Sequence, residues 1–149
     1  MTPPPAFTAT FESVLESVEL AEEKVRLFAA QAGFSDNDQF FLGLAVREIV
    51  INAILHGNKL DPAKKVGFSL AMQDGSLVID ITDQGPGFQL ESVPDPGLPQ
   101  NQNRTSGRGI TMALAIADEF TVTTNAPAGT HIRMRKRLPP TDAATPKQA

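Results

Sequence analysis

A carboxylate and an amide lie one helical turn apart inside an apolar segment. Glu48 and Asn52 are four residues apart, and His56 follows after four more. On an α-helix this spacing places the three side chains on one face. An amide oxygen suits Mg²⁺, and a nearby carboxylate can take a proton from water or a hydroxyl. The stripe also fits a solvent-facing seam, and His56 better fits a cation at a helix C-terminus.

A second candidate site is the segment D-Q-G-P-G, which begins at Asp83. The two glycines, Gly85 and Gly87, permit backbone angles that other residues resist, and they leave room for a flat ligand. The Asp83 carboxylate could accept a hydrogen bond from an exocyclic amine such as that of adenine. By itself the motif is better explained by a simple turn in which the aspartate caps its own backbone.

A third candidate is a glycine pair at the start of a predicted helix. Free N–H groups at a helix N-terminus bind anions, and arginine and hydroxyl side chains add charge and donors there. The pattern is not a P-loop, because the chain has no G-x-x-x-x-G-K-[ST] segment. An ordinary glycine-rich helix entry is the alternative. The residues concerned are Arg104, Thr105, Ser106, Gly107, Arg108 and Gly109.

Four segments follow one another in an order that is more specific than any of them alone. They are E-I-V-I-N-A-I-L-H-G (Glu48–Gly57), D-Q-G-P-G (Asp83–Gly87), R-T-S-G-R-G-I (Arg104–Ile110) and G-T (Gly129–Thr130). This series resembles the GHKL ATPases, and within them the small bacterial anti-sigma-factor serine/threonine kinases. The likeness extends from about residue 38 to residue 138 and implies the Bergerat ATP-binding fold.

The resemblance implies a role for each matching residue. Asn52 would be a ligand of Mg²⁺, Glu48 would be the general base, and Asp83 would bind the adenine amino group of ATP. Phe88–Asn103 would be the ATP lid. The other implied nucleotide contacts are Gly85, Gly87, Arg104, Thr105, Ser106, Gly107, Arg108, Gly109 and Thr130, the last of which would support Asp83.

The resemblance also implies partners. Proteins of this kind bind a sigma factor and phosphorylate an anti-sigma-factor antagonist on serine or threonine, usually as homodimers. Histidine kinases share the pocket but carry a phospho-accepting histidine on a helical hairpin, whereas the preceding helical segment here, Glu12–Ala32, has none. Two alternatives stay open: an ATP-binding switch without useful phosphoryl transfer, and an interaction module that binds no nucleotide. Glu48 favours the enzyme, because a pure binder needs no base.

The remaining sequence predicts the elements that hold these segments. Apolar residues recur with helical period over Ser13–Ala32 and about Asp36–His56, where Ser35 or Asp36 can cap the second helix. Strands that pair locally predict an α+β fold, a two-layer sandwich with a mixed, mostly antiparallel β-sheet and helices on one face. The predicted strands are Ala6–Phe11, Val66–Gln73, Ser76–Thr82, Phe120–Thr124 and His131–Arg137, and a third helix is predicted over Gly109–Asp118.

Composition limits the class of protein. The 149 residues fit a single domain, expected over 1–138, with a disordered tail over 139–149. The absence of cysteine excludes disulfides and thiolate chemistry. A net charge of −4 argues against direct nucleic-acid binding. We find no apolar run of about 20 residues and no signal peptide, and therefore expect a cytoplasmic protein without a membrane segment.

Overall fold

The computed structural model describes residues 2–85, 113–124 and 129–139. These contain five strands and two long helices, and the second helix runs directly into a five-residue π turn. The elements are β1 (Phe7–Glu12), α1 (Glu16–Ala32), α2 (Asp36–Asn52), the π turn (Ala53–Gly57), β2 (Lys65–Gln73), β3 (Ser76–Asp83), β4 (Glu119–Thr124) and β5 (Thr130–Arg137). Residues 113–116 are also helical, within the predicted third helix.

The strands form one sheet in the order β1-β2-β3-β5-β4. All four pairings are antiparallel, so the sheet described here contains no parallel pair of the kind that a mixed sheet would allow. Asp74 and Gly75 join β2 to β3 with φ angles of 51° and 79°. Left-handed angles at both positions give the hairpin turn that an Asp-Gly pair favours. The α+β architecture predicted from the sequence is confirmed.

Alternate residues of each inner strand point toward the helices and form the core. The opposite face is polar: Asp80 of β3 lies 2.6 Å from His131 and 2.8 Å from Arg133 on β5. Burial opposes ionisation of Asp80, but hydrogen bonds and positive charge from Arg133 and His131 outweigh it and lower its pKa. The buried strand residues include Val66, Phe68, Leu70, Leu77, Ile79, Ile81, Ile132 and Met134.

Helix α2 is the central element of the helical layer. It begins after Ser35, whose hydroxyl oxygen accepts a hydrogen bond from the Asp38 N–H at 3.1 Å, so Ser35 is its N-cap. One face is buried against α1 and the sheet. Phe40 and Phe41 belong to the apolar part of the helix, yet they are 47% and 39% exposed. They stack edge to face, and the Arg26 guanidinium of α1 lies over the Phe40 ring.

One helical stretch is long and apolar enough to cross a membrane when only length and composition are considered. Asp36–Gly57 has 22 residues, and an 18-residue window within it has a mean hydropathy of 1.5. The expectation that no segment approaches this length is therefore wrong on that measure. Half of that window is buried inside the protein, where the stretch packs against α1 and β3. A core helix of a globular domain has the same properties.

The first helix begins three residues later than its periodicity predicts. Ser13 is fully buried, and its hydroxyl donates a hydrogen bond to the Lys64 carbonyl at 2.5 Å. Ser17 donates from its hydroxyl to the Glu12 carbonyl at 2.8 Å. Because Ser13 is used in this contact between distant segments, it belongs to the connector between β1 and α1 rather than to the helix.

Candidate nucleotide-binding site

The carboxylate and the amide predicted to do chemistry lie near the C-terminal end of α2. Glu48 and Asn52 are both half-buried and one turn apart. Burial raises the pKa of Glu48 above its ordinary value of 4.5, while the positive charge of Arg47 opposes that shift. Arg47 is itself held by Glu22 of α1, with 3.0 Å between Nη1 and Oε1. The site therefore contains a carboxylate that is easier to protonate than usual.

The helix widens directly after Asn52. In the π turn, the Asn58 N–H donates to the Ala53 carbonyl five residues earlier, at 2.7 Å. Such turns are rare and occur often at functional sites. The wider turn changes the helical phase, so the four-residue spacing no longer aligns His56 with the stripe, and His56 is exposed. The stripe is therefore reduced to the pair Glu48 and Asn52.

The end of the π turn lies directly against the end of β3. A Cβ atom added to Gly57 would stand 2.6 Å from Oδ2 of Asp83, and one added to Gly85 would overlap the Gly57 carbonyl group. The two backbones therefore touch, and they can do so only because neither residue has a side chain. Gly85 is therefore required here for packing, and the open space that the sequence pattern suggested stays a prediction.

The Asp83 carboxylate is held by backbone donors. It accepts hydrogen bonds from the Gly85 N–H, at 2.9 Å, and from the Thr130 N–H. The Gly129 N–H donates to the Gly85 carbonyl at 2.5 Å and ties β5 to the same turn. Burial raises the pKa of Asp83, although the two backbone hydrogen bonds and the charge of Lys64 oppose the shift. The Thr130 contact is made by its backbone.

The structure thus brings together Asp83, Gly85 and Thr130, next to the helix that carries Glu48 and Asn52. Gly87, the phosphate-binding segment and the lid segment lie outside the described residues, and their roles stay predictions. The predicted site residues concerned are Gly87, Arg104, Thr105, Ser106, Gly107, Arg108 and Gly109.

The donors present fit ATP and Mg²⁺ chemically. Asp83 provides a half-buried acceptor beside the contact between Gly57 and Gly85, where side chains are missing. Asn52 and Glu48 offer oxygen atoms, the donors that Mg²⁺ prefers. Within residues 2–85, 113–124 and 129–139, His, Asp and Glu side chains form no cluster of three or more that could hold a metal. Phosphate and water oxygens would therefore complete the coordination of Mg²⁺.

Sequence reasoning missed the part played by Gly57, Asn58 and Gly129. Glycine and asparagine are the residues that most often end a helix. A helix C-terminus alone therefore accounts for Gly57 and Asn58 after an apolar helix. The only available signal was the close succession of Asn52, Gly57 and Asn58 within one segment. The contact of Gly57 with the β3 end depends on tertiary packing and has no local sequence mark.

The sequence matches the histidine kinase-like ATPase domain over residues 11–136, and the chain belongs to this family. Membership implies ATP binding and confirms the resemblance carried by the four motifs. The anti-sigma F factor of Clostridium botulinum (strain Eklund 17B / Type B) is 32% identical over 134 residues, which cover 86% of this chain and 91% of that protein. The anti-sigma F factor of Geobacillus kaustophilus is 28% identical over 130 residues, with coverage of 86% and 89%.

Solved structures show the same fold. The RsbU and RsbW domains of a Mycobacterium tuberculosis protein match with a TM-score of 0.67 and 22% identity, over 91% of this chain and 33% of that one. A blue-light activated histidine kinase of Erythrobacter litoralis matches with a TM-score of 0.55 and 20% identity, over 72% of this chain and 33% of that one. At these identities the likeness establishes the architecture.

The contact between Gly57 and Gly85 predicts the effect of a single methyl group. Gly85→Ala should lower the free energy of unfolding by about 1–3 kcal/mol, because the methyl meets rigid backbone. Gly67→Ala is the matched control: there a methyl meets the Thr82 hydroxyl, which can rotate away. Urea unfolding of both variants tests this. Equal stability of Gly85→Ala and wild type would show that the two segments are not in contact.

Proposed function

We propose that this chain is an ATP-dependent protein serine/threonine kinase that acts as an anti-sigma factor and phosphorylates an anti-sigma-factor antagonist. One observation carries the proposal: the half-buried Asp83 carboxylate lies against Gly57, in the π turn that follows the helix bearing Glu48 and Asn52. A base-recognition group at the end of β3 is thus in contact with the helical segment that carries a possible proton acceptor. Relatives named anti-sigma F factor match most of the chain and support the biological role.

In this proposal, the residues around Asp83 select the base. The Asp83 carboxylate accepts a hydrogen bond from the adenine amino group, while Gly85 and Gly87 leave space for the ring. Backbone donors from Gly85 and Thr130 hold the carboxylate before any nucleotide binds. Because its orientation is fixed in advance, little side-chain freedom is lost on binding.

The phosphate end of the proposed site depends on Asn52 and on the segment Arg104–Gly109. Asn52 provides an amide oxygen as a ligand to Mg²⁺. The bound ion would neutralise charge on the phosphates. Arg104 and Arg108 add positive charge, and Thr105, Ser106 and the two glycines offer hydroxyl and N–H donors. These residues hold and orient the phosphoryl group that is transferred.

Glu48 is the proposed general base. It accepts the proton of the substrate serine or threonine hydroxyl as that oxygen bonds to the γ-phosphorus, and the bond from that phosphorus to the leaving ADP oxygen breaks. Phosphoryl transfer depends mainly on positioning and charge, so one carboxylate can suffice. Its partial burial raises the Glu48 pKa above the ordinary glutamate value, although the charge of Arg47 opposes the shift.

The proposed partners are a sigma factor and an antagonist protein, with a cytoplasmic location and no direct contact with nucleic acid or membrane. We also propose a homodimer. Exposed leucines on α1 support a protein interface on this helix, because Leu20 and Leu27 are 49% and 51% exposed and lie seven residues apart, on one face.

Transfer of labelled phosphate tests the kinase directly. The protein is incubated with Mg²⁺ and γ-labelled ATP, with and without the small serine-bearing regulator encoded beside its gene. The probe is any small anti-sigma-factor antagonist protein found among the neighbouring genes. We expect label on a serine or threonine of that protein, and a loss of at least about 100-fold in rate in Glu48→Gln. Glu23→Gln, an exposed change on α1, is the control. Tight ATP binding without transfer would favour the regulatory switch, and no ATP binding would leave the interaction module.

Asn52→Ala tests the proposed metal ligand. The variant should lose most affinity for Mg-ATP, because the amide oxygen contributes only when the ion is present. Asn37→Ala, an exposed asparagine on the first turn of the same helix, is the matched control and should bind normally. Calorimetric titration with ATP in Mg²⁺ and in EDTA separates the two effects. Wild-type affinity for Mg-ATP in Asn52→Ala would refute the assignment.

The raised pKa of Glu48 predicts the pH dependence of transfer. A general base works only when ionised, so activity should be present at high pH and disappear as the pH falls through a value above 4.5. Arg47→Gln removes the charge that opposes this shift and should move the fall in activity to higher pH. Single-turnover rates across the pH range provide the measurement. An unmoved or downward-shifted profile in Arg47→Gln would exclude Glu48 as the titrating group.

A further inference from the structure

Asn58, the residue after the π turn, joins four segments of the chain. Its side chain is fully buried. Nδ2 donates to the Ser13 hydroxyl at 2.9 Å and to the Lys65 carbonyl at 3.1 Å, and Oδ1 accepts from the Gln84 N–H at 2.7 Å. Both donors and the acceptor of the amide are therefore used in contacts with residues distant in sequence.

The hydrogen bond to Gln84 lies at the centre of the candidate site. Gln84 stands between Asp83, which would bind the adenine amino group, and Gly85, which packs on Gly57. Its side chain closes the network, because Oε1 of Gln84 accepts from the Lys65 N–H at 2.7 Å. The peptide that follows Asp83 is thus fixed to the residue after the π turn by a hydrogen bond whose acceptor is fully buried. Such bonds are costly to lose once their partners are removed from water.

We propose that Asn58 is a positioning residue that sets the preference for adenine by holding the Asp83–Gly85 turn against the end of the π turn. The inference rests on the proposed function, because it deepens the role of Asp83 in base recognition. Asn58 touches no nucleotide itself and acts through the Gln84 N–H. The Ser13 and Lys65 contacts orient the amide so that its oxygen faces Gln84.

The readout must separate positioning from general stability. Inosine triphosphate carries a carbonyl oxygen where ATP carries the amino group, so it gains nothing from a correctly placed Asp83 carboxylate. In Asn58→Ala the affinity for ATP should fall about tenfold, as for the loss of one buried hydrogen bond. The affinity for inosine triphosphate should fall about twofold or less. The preference for ATP over inosine triphosphate should therefore decrease about fivefold or more.

Ser13→Ala is the matched control within the same network. It removes one partner of Nδ2 but leaves the bonds of Asn58 to the Lys65 carbonyl and to the Gln84 N–H, and these two bonds still orient the amide. It should lower the unfolding temperature while the preference for ATP stays at the wild-type value. Asn58→Ser is a second variant in case Asn58→Ala does not fold. Its hydroxyl keeps a polar atom in the buried space, but the serine side chain is one bond shorter than that of asparagine. Its preference should fall as in Asn58→Ala.

The outcomes distinguish this inference from the proposed function. A wild-type protein that binds neither nucleotide, or both equally, would overturn the adenine site and this inference together. A wild type that prefers ATP, with the same preference in the folded Asn58 variants, would overturn the inference alone. An equal loss of preference in Ser13→Ala would also overturn it, since general loosening would then explain the effect. Reduced preference only in the Asn58 variants supports it.

Discussion

The contact between the backbones of Gly57 and Gly85 is the constraint on which the candidate site depends. It joins the end of the helix that carries Glu48 and Asn52 to the end of the strand that carries Asp83. Any side chain at either glycine would separate the two ends. The π turn contributes to this contact, because it adds a residue to the last turn of the helix before the chain turns toward β2.

The pKa values of acidic groups are shifted in opposite directions on the two sides of the sheet. Asp80 lies on the polar face, where His131 and Arg133 lower its pKa, and its ionised form stabilises the fold at neutral pH. Asp83 and Glu48 lie on the helical side, and burial raises their pKa values. Ionising these two groups costs folding stability, so their presence needs an explanation other than the fold. Partial burial of acids with few compensating charges is typical of sites that bind or transform a ligand.

Sequence periodicity predicted both long helices and all five strands. In each element the spacing of the apolar residues shows which side faces the common core. The hairpin at Asp74 has a local cause, since its turn needs left-handed angles that an Asp-Gly pair readily adopts. The start of α1 and the exposure of Phe40 and Phe41 did not follow, because Ser13 and the aromatic pair are used in contacts between distant segments. The order of motifs identified the family and the ligand class, while the roles of Gly57 and Asn58 needed the folded backbone.

The register between β3 and β5 determines which residues lie beside Asp83 in the candidate site. Asp83 on β3 pairs directly with Thr130 on β5, and both lie on the face that Ile81 and Ile132 bury against the helices. A slip of one residue would bring His131 to that face and turn the core residues outward. The burial of apolar residues that stabilises the sheet therefore also fixes the Thr130 N–H beside the Asp83 carboxylate. The position of the proposed adenine acceptor is a consequence of core packing, although the two residues are far apart in sequence.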